Sequence, residues 1–495
     1  MTRPRPEVSV KDWDAYTQPM INPYGFREYD ARWRFPEEIN LPGMTALGAG
    51  LGTLIQRRGL RPAIALGHDY RSYSQAVKNA LALGLIQAGM EVHDIGLALS
   101  PMTYFSQFHL DLPAVAVVTA SHNPNGWTGV KMGIDRPRTL GPDEMAELRE
   151  IVMGGHAEMR GGGSYRRVDG VREAYLDDLA NGVTLTRPLR VVCATGNGTA
   201  SAFAPELLRR IGCEVIPLHT ELDHDFPHYN PNPEAMEMLH DMAAAVTAHH
   251  ADLALGFDGD GDRCGVVDNE GEEIFSDKIG VLLARRYAKP GAHFMADIKS
   301  TGLFTIDPVL SESGASFEYW KTGHSYIKAR MAETGAVAGF EKSGHYFLAP
   351  PIGYGFDCGL RAAVEICKML AESGERMADL RRSLPPAWTT PTLCPYCPDS
   401  EKYGLLERIM ARLERFRADG GTLGGLAIRD VITVQGARIV LDNGSWALIR
   451  ASSNTPNLVV VCESFTSEAE LRAIFQDLDA FIRQEPGLGD YDQSF

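Results

Sequence analysis

The segment "AVAVVTASHNPNGWTGVKMG" (114–133) joins a short apolar run to a polar loop. Two other segments repeat this arrangement: "ADLALGF" (251–257) runs into "DGDGDR" (258–263), and "AVAGF" (336–340) runs into "EKSGH" (341–345). Such apolar runs are typical of buried strands, and ligands bind beyond the carboxyl ends of the strands in open parallel sheets. We therefore expect three α/β domains whose polar loops converge on one cleft.

Helical patterns alternate with these strands. Both "YSQAVKNALALGLIQAGM" (73–90) and "CGLRAAVEICKMLAES" (358–373) have apolar residues at helical spacing, and strand–helix–strand repeats favour mostly parallel sheets. The Pro- and Thr-rich stretch "LPPAWTTPTLCP" (384–395) is interpreted as a linker to a fourth segment. There, "SWALIRASSNTPNLVVVCES" (445–464) predicts two strands that flank a small polar loop.

These patterns predict the domain organisation. A chain of 495 residues is too long for one compact core. We predict an α/β protein of four domains around a central cleft: three similar α/β domains with mixed, mostly parallel sheets, and a smaller C-terminal α+β domain. The predicted boundaries are 1–170 for the domain with the serine loop, 171–272 for the aspartate loop, 273–384 for the "FEKSGH" loop, and 385–495 for the fourth domain.

Composition limits the partners of the chain. No apolar run approaches the roughly 18 residues of a membrane span, and the N-terminal segment lacks the apolar core of a signal peptide. We therefore expect a cytoplasmic protein with no membrane partner. The net charge of −16 disfavours nucleic acid as a partner. The pair in "CPYC" (394–397) has no second pair at zinc-site spacing, and we interpret it as part of a loop.

The loop "DGDGDR" places Asp258, Asp260 and Asp262 on alternate residues. Alternate side chains of an extended segment share one face, so these carboxylates would repel one another unless a cation lies among them. A hard divalent cation with few protein ligands fits Mg²⁺. A calcium loop of the EF-hand type is excluded, because Arg263 stands where that loop needs glycine and Asn269 where it needs glutamate. A solvated acidic turn stays open as the alternative.

Ser121, which follows the first strand, is a candidate nucleophile. The G-x-S-x-G elbow of hydrolases is absent here, since Thr119 and Asn123 occupy the glycine positions. The serine either caps the following backbone or carries a phosphoryl group beside the magnesium loop, where transfer depends on positioning and charge neutralisation. Lys131 would offset charge on the phosphoryl oxygens. On an extended backbone His122 would point away from Ser121.

Charge accounting indicates what else the site needs. Three aspartates, a phosphoserine of about −2 and one Mg²⁺ leave a net charge of about −3, to which a phosphorylated substrate adds about −2. Such a site binds an anion only if several cations line it. The cations in or beside the loops are Lys131, Arg263, Lys299, Lys321 and Arg450.

Eight segments, in this order along the chain, carry a family resemblance. They are "FREYDAR" (26–32), "HDYRSYS" (68–74), "TASHNPNGWTGVK" (119–131), "GNGTAS" (196–201), "DGDGDR" (258–263), "KTGHSYIKARM" (321–331), "GFEKSGH" (339–345) and "RASSNTP" (450–456). The chain resembles the α-D-phosphohexomutase family almost from end to end, and most closely its bacterial phosphomannomutase/phosphoglucomutase branch.

This resemblance implies an isomerase of carbohydrate metabolism that interconverts hexose 1-phosphate and hexose 6-phosphate. Phosphorylated Ser121 would pass its phosphoryl group to the free hydroxyl of the sugar, giving a bound 1,6-bisphosphate that turns over and returns its other phosphate. The resemblance also implies Mg²⁺ on the three aspartates and a phosphoserine oxygen, and glucose 1,6-bisphosphate as activator and intermediate. The catalytic residues would be Ser121, Lys131, Arg263 and His345, with His345 as the candidate proton acceptor or donor.

The remaining motifs supply the implied substrate contacts. Glu341 and Ser343 would take the hydroxyls at carbons 3 and 4, which glucose and mannose present alike, so we predict activity on both sugars. A clamp built on "RASSNTP" would accept the distal phosphate of either sugar orientation. Its residues would be Arg450, Ser452, Ser453, Asn454 and Thr455, and further substrate contacts would come from Tyr29, Arg32, His122, Lys299, Lys321 and His324.

Three positions depart from the family pattern. Trp33 replaces a usual glycine, Lys342 stands where dual-specificity members often have methionine, and Ala194 stands where an acidic residue is common.

Two alternatives stay open: a phosphoglucosamine mutase, and a catalytically silent sugar-phosphate-binding protein of the same fold. We expect phosphorylated hexoses as partners and a monomer or homodimer.

Overall fold

The structure is a computed structural model that describes residues 17–453, 455–493 and 495. Asn454 of the predicted clamp therefore lies outside the described residues. The chain divides into two compact units. One unit contains the residues up to 276 together with 343–378, and the other contains 277–342 together with 379–495.

The first sheet of the first unit is mixed. Its elements are β1 (Ala31–Arg34), α1 (Leu41–Arg57), β2 (Ala63–His68), α2 (Ser74–Gln87), β3 (Glu91–Leu97), α3 (Ser100–His109), β4 (Ala114–Val118), β5 (Trp127–Gly133), α4 (Pro142–Met153) and β6 (Ser164–Arg167). The strand order is β1-β5-β4-β2-β3-β6, with β4, β2, β3 and β6 parallel and β5 antiparallel to both its neighbours. The loops after β2 and β4 therefore leave the sheet side by side.

Burial on both faces explains the apolar runs of this sheet. Ile64 and Leu66 on β2 belong to a core cluster that includes Leu47 of α1 and Leu81 of α2. The opposite face of β2 is also packed. Gly67 lies so close to α3 that a Cβ there would be 3.0 Å from Oγ1 of Thr103. A strand covered on both sides reads as continuous apolar sequence, as the segment before Ser121 does.

The second sheet of this unit has parallel and antiparallel pairs in equal number. Its elements are α5 (Val171–Ala180), β7 (Arg190–Ala194), α6 (Ala204–Arg210), β8 (Glu214–Leu218), α7 (Met236–His249), β9 (Leu253–Phe257), β10 (Cys264–Asp268) and β11 (Glu273–Ile274). The order is β11-β10-β9-β7-β8. Because β9 and β10 pair antiparallel with Phe257 opposite Cys264, the "DGDGDR" loop is the tight connection of a hairpin.

The second unit begins with a parallel sheet. Its elements are α8 (Ser276–Tyr287), β12 (His293–Asp297), α9 (Leu303–Ile306), α10 (Pro308–Glu312), β13 (Ser316–Trp320), α11 (His324–Thr334) and β14 (Ala338–Phe340). β12 lies between β13 and β14 and is parallel to both. The carboxyl ends of these three strands therefore lie at one edge, where the loops with the predicted sugar contacts begin.

The chain then returns to the first unit. The elements here are β15 (Tyr346–Leu348), α12 (Gly359–Ser373) and α13 (Met377–Arg382), the last of which ends in the second unit. An antiparallel bridge joins Arg263 to His345, and another joins Phe347 to Asp357. The first bridge fixes the segment of His345 beside the aspartate hairpin.

The C-terminal sheet of the second unit is antiparallel throughout. Its elements are β16 (Trp388–Thr389), α14 (Lys402–Ala418), β17 (Thr422–Leu423), β18 (Leu426–Ile432), β19 (Ala437–Leu441), β20 (Trp446–Ala451), β21 (Leu458–Ser464) and α15 (Glu468–Ile482). The order is β16-β21-β20-β19-β18-β17. Alternate residues such as Ile449 and Val460 pack with Ile409 of α14 and Ile474 of α15. Trp446, Leu448, Val459 and Val461 on the other face pack against Ile298, so this sheet too is buried on both sides.

These elements confirm the predicted fold class, and the predicted strands before Ser121, before the aspartate loop and before Glu341 are all present. The second sheet is less parallel than expected. The domain boundaries and the single cleft stay predictions.

Within the described part of the chain, no helix has both the length and the apolar character that a membrane crossing requires. Cys394 and Cys397 of "CPYC" are free thiols in the connection after β16.

Candidate active site

The aspartate loop is a tight turn, not the extended segment that the alternate spacing suggested. Gly261 has a φ of 71°, in the left-handed region, and reverses the chain between Asp260 and Asp262. One ligand oxygen from each of Asp258, Asp260 and Asp262 nevertheless lies within 4.8 Å of the other two. The convergence of the carboxylates therefore results from a turn, and a shared face of an extended segment is the wrong explanation for it.

Ser121 meets this turn from another sheet, 137 residues away along the chain. Its Oγ donates a hydrogen bond to Oδ2 of Asp258 at 2.9 Å. The backbone of Ser121 has a φ of 51°, which is uncommon for a residue other than glycine. Gly259 permits the close approach, since a Cβ at that position would collide with the carbonyl oxygen of Ser121. The structure thus brings the candidate nucleophile and the aspartates into one buried site.

The donor set of the turn fits a hard divalent cation. The three aspartates are 0% exposed, which rules out a solvated acidic turn. Burial raises the pKa of the Asp258 carboxyl well above its usual value, and the charges of Asp262 and Asp260 raise it further. Oδ1 of Asp260 is buried without a hydrogen-bond partner in the described chain. Since unpaired buried carboxylates are costly, a cation held by oxygen ligands would relieve both conditions.

Lys131 already neutralises part of this charge. It lies on β5 opposite Val117, and its Nζ donates to Oδ2 of Asp260 at 2.7 Å and also to Oδ2 of Asp262. Burial lowers the pKa of this ammonium, but the two carboxylates outweigh burial and raise the pKa well above its usual value. The ammonium is therefore charged at neutral pH. Its expected contact with a phosphoryl group stays a prediction.

Two arginines add positive charge near the same turn. The backbone N–H of Arg263 donates to Oδ1 of Asp258 at 3.2 Å, and its Nη1 pairs with Oε2 of Glu234 at 3.0 Å. Arg32 on β1 pairs through Nε with Oδ2 of Asp30 at 2.9 Å. Desolvation opposes the charge of each guanidinium, yet the neighbouring carboxylates raise the pKa of both.

His122 is closer to the nucleophile than the sequence suggested. Its Nδ1 lies 3.3 Å from Oγ of Ser121, so the expectation that it points away is wrong. The reason is that Ser121 is left-handed and not extended. Burial and the charge of Arg263 lower the pKa of His122 well below its usual value, which leaves the imidazole neutral at pH 7.

His345 contacts two polar groups of the same unit. Its Nε2 lies 3.3 Å from Oδ1 of Asp262, and its Nδ1 lies 3.0 Å from Oγ of Ser343. The predicted sugar contact Ser343 is thus also a neighbour of the imidazole. The role of His345 in proton transfer stays a prediction.

In the second unit, one buried acid holds three loops together. Asp297, the last residue of β12, accepts a hydrogen bond on Oδ2 from Oγ1 of Thr322 at 2.8 Å. Its Oδ1 accepts from the backbone N–H of Lys342 at 3.2 Å and from Oγ of Ser300. The three loops carry the predicted substrate residues Lys299, Lys321 and Glu341. The sequence analysis did not single out Asp297.

The predicted sugar contacts of this unit are arranged around that acid. Glu341 accepts a hydrogen bond on Oε1 from the backbone N–H of Gly323 at 2.5 Å, which joins two of the loops directly. Nζ of Lys321 lies 5.2 Å from the centre of the Tyr326 ring. His324 begins α11 and is 5% exposed. The structure therefore groups Glu341, Lys321 and His324 at one edge of the parallel sheet.

Lys342 takes a different direction from the sugar contacts beside it. Its Nζ donates to the carbonyl oxygen of Thr390, after β16, at 3.2 Å. Burial lowers the pKa of the ammonium, while the carboxylate of Asp277 opposes the shift. The departure from methionine at this position thus inserts a positive charge under the loop, next to the C-terminal sheet.

The predicted phosphate clamp follows β20. Arg450 donates through Nη1 to the carbonyl oxygen of Ala451 at 2.9 Å, and its Nε is buried without a partner among residues that the structure describes. Oγ of Ser452 and Oγ1 of Thr455 are hydrogen-bonded at 2.8 Å. Ser453 lies between them in a bend. The loop therefore combines a buried guanidinium with a spare N–H and two hydroxyl groups, a combination that suits an anion.

The other departures from the family pattern are core residues. Trp33 is 0% exposed and donates through Nε1 to the carbonyl oxygen of Asn22 at 2.8 Å. A Cβ at Gly25 would collide with the Trp33 ring, so the indole fills the space under that turn. Ala194 lies in the core of the second sheet. Tyr29, which was predicted to contact substrate, is 7% exposed.

Four family models match consecutive parts of the chain. They describe the alpha/beta/alpha domains I, II and III and the C-terminal domain of phosphoglucomutase/phosphomannomutase, and they match residues 24–158, 173–271, 275–388 and 400–481. The chain belongs to the phosphoglucomutase/phosphomannomutase family.

Individual members of the family are similar over most of their length. The phosphomannomutase/phosphoglucomutase of Pseudomonas aeruginosa is 32% identical over 456 residues, covering 91% of this chain and 94% of the relative. The phosphoglucomutase of Neisseria gonorrhoeae is 32% identical over 467 residues, covering 94% and 97%. A crystal structure of a family protein from Burkholderia thailandensis superposes with a TM-score of 0.85 at 32% identity and covers 95% of this chain and 99% of that one.

Family membership gives the reaction class. The chain is an enzyme of the isomerase class, a hexose-phosphate mutase of carbohydrate metabolism, and the family uses a metal ion, for which the buried aspartate turn is the candidate site.

Besides Asp297, the sequence analysis missed Ser100, whose Oγ donates to Oδ2 of Asp260 at 2.6 Å. One signal could have found Asp297: it ends a mostly apolar strand, much as Ser121, Asp258 and Glu341 come after one.

Proposed function

We propose that this family member interconverts hexose 1-phosphate and hexose 6-phosphate, with glucose and mannose as sugars, through a phosphoserine at Ser121. The observation that carries the proposal is the hydrogen bond of 2.9 Å between Oγ of Ser121 and Oδ2 of Asp258. It joins a hydroxyl on one sheet to three buried carboxylates on another. A capping serine would need no such cluster.

Asp258, Asp260 and Asp262 would hold Mg²⁺, together with an oxygen of the phosphorylated serine. When bound, the ion supplies positive charge that offsets the charge of the phosphoryl group during transfer. The protein's own cations work in the same direction. Lys131 neutralises Asp260 and Asp262, and Arg263 stands beside Asp258.

The first transfer breaks the bond between phosphorus and Oγ of Ser121 and forms a bond between phosphorus and the free hydroxyl oxygen of the sugar phosphate. The proton of that hydroxyl goes to His345, and Asp262, 3.3 Å from Nε2, stabilises the resulting imidazolium. His122 is less suited to this role, because burial and Arg263 lower the pKa of its imidazole. The second transfer reverses these bond changes after the bisphosphate has exchanged its two ends.

The loops of the second unit would hold the substrate through both transfers. Glu341, together with Ser343, would take the hydroxyls at carbons 3 and 4, and a site that reads only those positions accepts glucose and mannose alike. Arg450, with Ser452 and Thr455, would bind the phosphate that does not react. A bisphosphate that turns over presents a phosphate to this clamp in either orientation, which explains why one clamp suffices for both half-reactions.

A coupled assay tests the proposal. Purified protein receives glucose 1-phosphate or mannose 1-phosphate, a trace of glucose 1,6-bisphosphate and MgCl₂, and formation of the 6-phosphate is followed. We expect turnover of both sugars and its loss when a chelator removes the metal. Absence of activity on both substrates, with activity on glucosamine phosphate, would replace the proposal with an aminosugar mutase. Size-exclusion chromatography on the same sample tests the expectation of a monomer or homodimer.

A further inference from the structure

The segment "HDYRSYS" (68–74) belongs to the family resemblance but has no place in the proposed reaction. Its first residue, His68, ends β2, which lies next to β4 in the sheet, with His68 opposite Val118. The backbone N–H of Asp69 continues this pairing by donating to the carbonyl oxygen of Val118 at 2.9 Å. The segment therefore leaves the sheet directly beside the loop that carries Ser121.

The side chain of Arg71 crosses to that loop and binds its backbone. Nη2 donates to the carbonyl oxygens of Ser121 at 2.9 Å and Asn123 at 2.6 Å, and Nη1 donates to that of Pro124 at 3.0 Å. Arg71 is 6% exposed, and its charge is paired through Nε with Oδ2 of Asp69 at 3.3 Å. One guanidinium thus binds three carbonyl groups within four consecutive residues.

Asp69 completes the arrangement on the other side of the nucleophile. The same Oδ2 accepts the backbone N–H of Ala120 at 3.2 Å, and Oδ1 accepts Oγ of Ser74. The backbone N–H of Ala120 and the carbonyl group of Ser121 are therefore held by one buried ion pair. This matters because Ser121 has a φ of 51°, a conformation that persists only where its surroundings enforce it.

Tyr73 holds the far end of the same loop. Its hydroxyl donates to the carbonyl oxygen of Trp127 at 2.6 Å and accepts the backbone N–H of Gly126 at 3.0 Å. The segment 68–74 thus contacts the serine loop at two places. Arg71 acts at the nucleophile, and Tyr73 acts five residues beyond it.

From these contacts we propose that Arg71 is a positioning residue for phosphoryl transfer. It holds the carbonyl group of Ser121 so that Oγ faces Asp258, and it does so without touching the substrate. Lysine cannot replace it, because the three carbonyls need several N–H groups in one plane and an ammonium is a compact point charge. The proposal deepens the proposed function and rests on Ser121 as the phosphoryl carrier.

The test compares Arg71→Lys and Arg71→Ala with Tyr73→Phe as the matched control, since Tyr73→Phe removes two bonds of the same loop away from the nucleophile. We expect both Arg71 variants to lose about 100-fold in kcat, as a displacement of about 1 Å at a reacting group can cost. The KM for the sugar phosphate should stay within about twofold, and Tyr73→Phe should change kcat much less. Added guanidinium ion should restore part of the activity of Arg71→Ala but not of Tyr73→Phe.

Several results would overturn the assignment. A wild-type kcat in Arg71→Lys would show that the hydrogen bonds from Arg71 to the serine loop do not matter for catalysis. A raised KM with unchanged kcat would make Arg71 a substrate ligand. Loss of the folded state in both variants, read from thermal unfolding, would assign Arg71 to folding alone.

Hydrogen exchange separates this proposal from the function on which it rests. We expect faster amide exchange in residues 119–127 of Arg71→Lys and unchanged exchange in the C-terminal sheet, whether or not the wild type turns over hexose phosphates. An inactive wild type would sink the proposed function, while unchanged exchange in 119–127 would sink the role of Arg71.

Discussion

The serine site and the loops that carry the predicted sugar contacts are both built at the carboxyl ends of strands, but they are held in opposite ways. Around Ser121 the buried groups are charges that face one another: three aspartates, with Lys131 and Arg263 beside them. In the second unit one acid, Asp297, binds a backbone N–H and two hydroxyls and leaves the loops to present their own side chains. The first arrangement suits a reaction that moves charge, and the second suits recognition of a neutral sugar ring. Substitutions in the two regions should therefore separate kcat from KM.

Ser121→Ala should have the largest effect. Removing the proposed phosphoryl carrier should lower kcat by at least about 10⁴-fold, the scale seen when a nucleophile is deleted, while hexose phosphate still binds. Intact mass should show one added phosphoryl group on part of the wild type and none on the variant. Ser106→Ala is the matched control, because Ser106 is a buried serine of the same sheet region whose Oγ donates to the carbonyl oxygen of Thr103 within α3. A fully active Ser121→Ala protein would contradict the comparison outright.

Arg450→Ala tests the opposite side of the comparison. If the clamp binds the distal phosphate in a desolvated pair, the substitution should weaken binding by about 2–5 kcal/mol, seen as a higher KM with much of kcat retained at saturation. Arg429→Ala serves as control, since Arg429 is an exposed arginine of the same sheet. Equal kinetics for Arg450→Ala and the control would remove the clamp assignment.

Asp297→Asn should have an intermediate effect. The neutral amide keeps the shape of the side chain but weakens hydrogen bonds that a carboxylate accepts, by about 1.5–3 kcal/mol in total. Because it holds three loops that carry predicted substrate contacts, the expected result is a loss in kcat/KM of about 10- to 100-fold for both sugars. Asp307→Asn controls for stability, since Asp307 is equally buried and pairs with Arg285 away from these loops. A similar loss in both variants would reduce Asp297 to a folding residue.

Lys342→Met should have the smallest effect on catalysis. The ammonium bonds to Thr390 and not to the sugar-contact side of the loop, so the ratio of kcat/KM for glucose and mannose phosphates should stay within about twofold. The melting temperature should fall, because Asp277 and Glu463 would lose a neighbouring cation in a buried setting. Lys342→Arg, which keeps the charge, is the control. A clear change in sugar preference would show that Lys342 reads the substrate.

The ends of the strands could be predicted from the sequence because strands that are buried on both faces consist of continuous apolar residues. The segments before Ser121, Asp258 and Glu341 are strands, and the grouping of Ser121 with the aspartates follows from the chemistry that a phosphoserine and three carboxylates need. The resemblance supplied the family, which the comparisons confirm.

The positions that sequence could not supply depend on backbone conformation or on contacts between distant segments. The left-handed φ of Ser121 brings His122 to its Oγ, and an extended backbone was the natural assumption for a residue that follows a strand. Arg71 and Asp297 act on backbone groups and hydroxyls of other loops, so neither forms a local pattern of catalytic type. Lys342 was noted only as a departure from the family's methionine, and the tertiary structure alone shows that its Nζ faces Thr390.

The two-sided packing of the C-terminal sheet has an evolutionary consequence. Shifting β20 by a single residue would exchange Ala447 and Ile449, which face the helices, for Trp446 and Leu448, which face Ile298, and the two sets differ in volume. The number of residues in the turn between β20 and β21 is therefore fixed, although the identities of those residues are free to vary. Ligand preference at this turn should diverge among relatives through replacement of side chains, with insertions and deletions confined to other connections of the sheet.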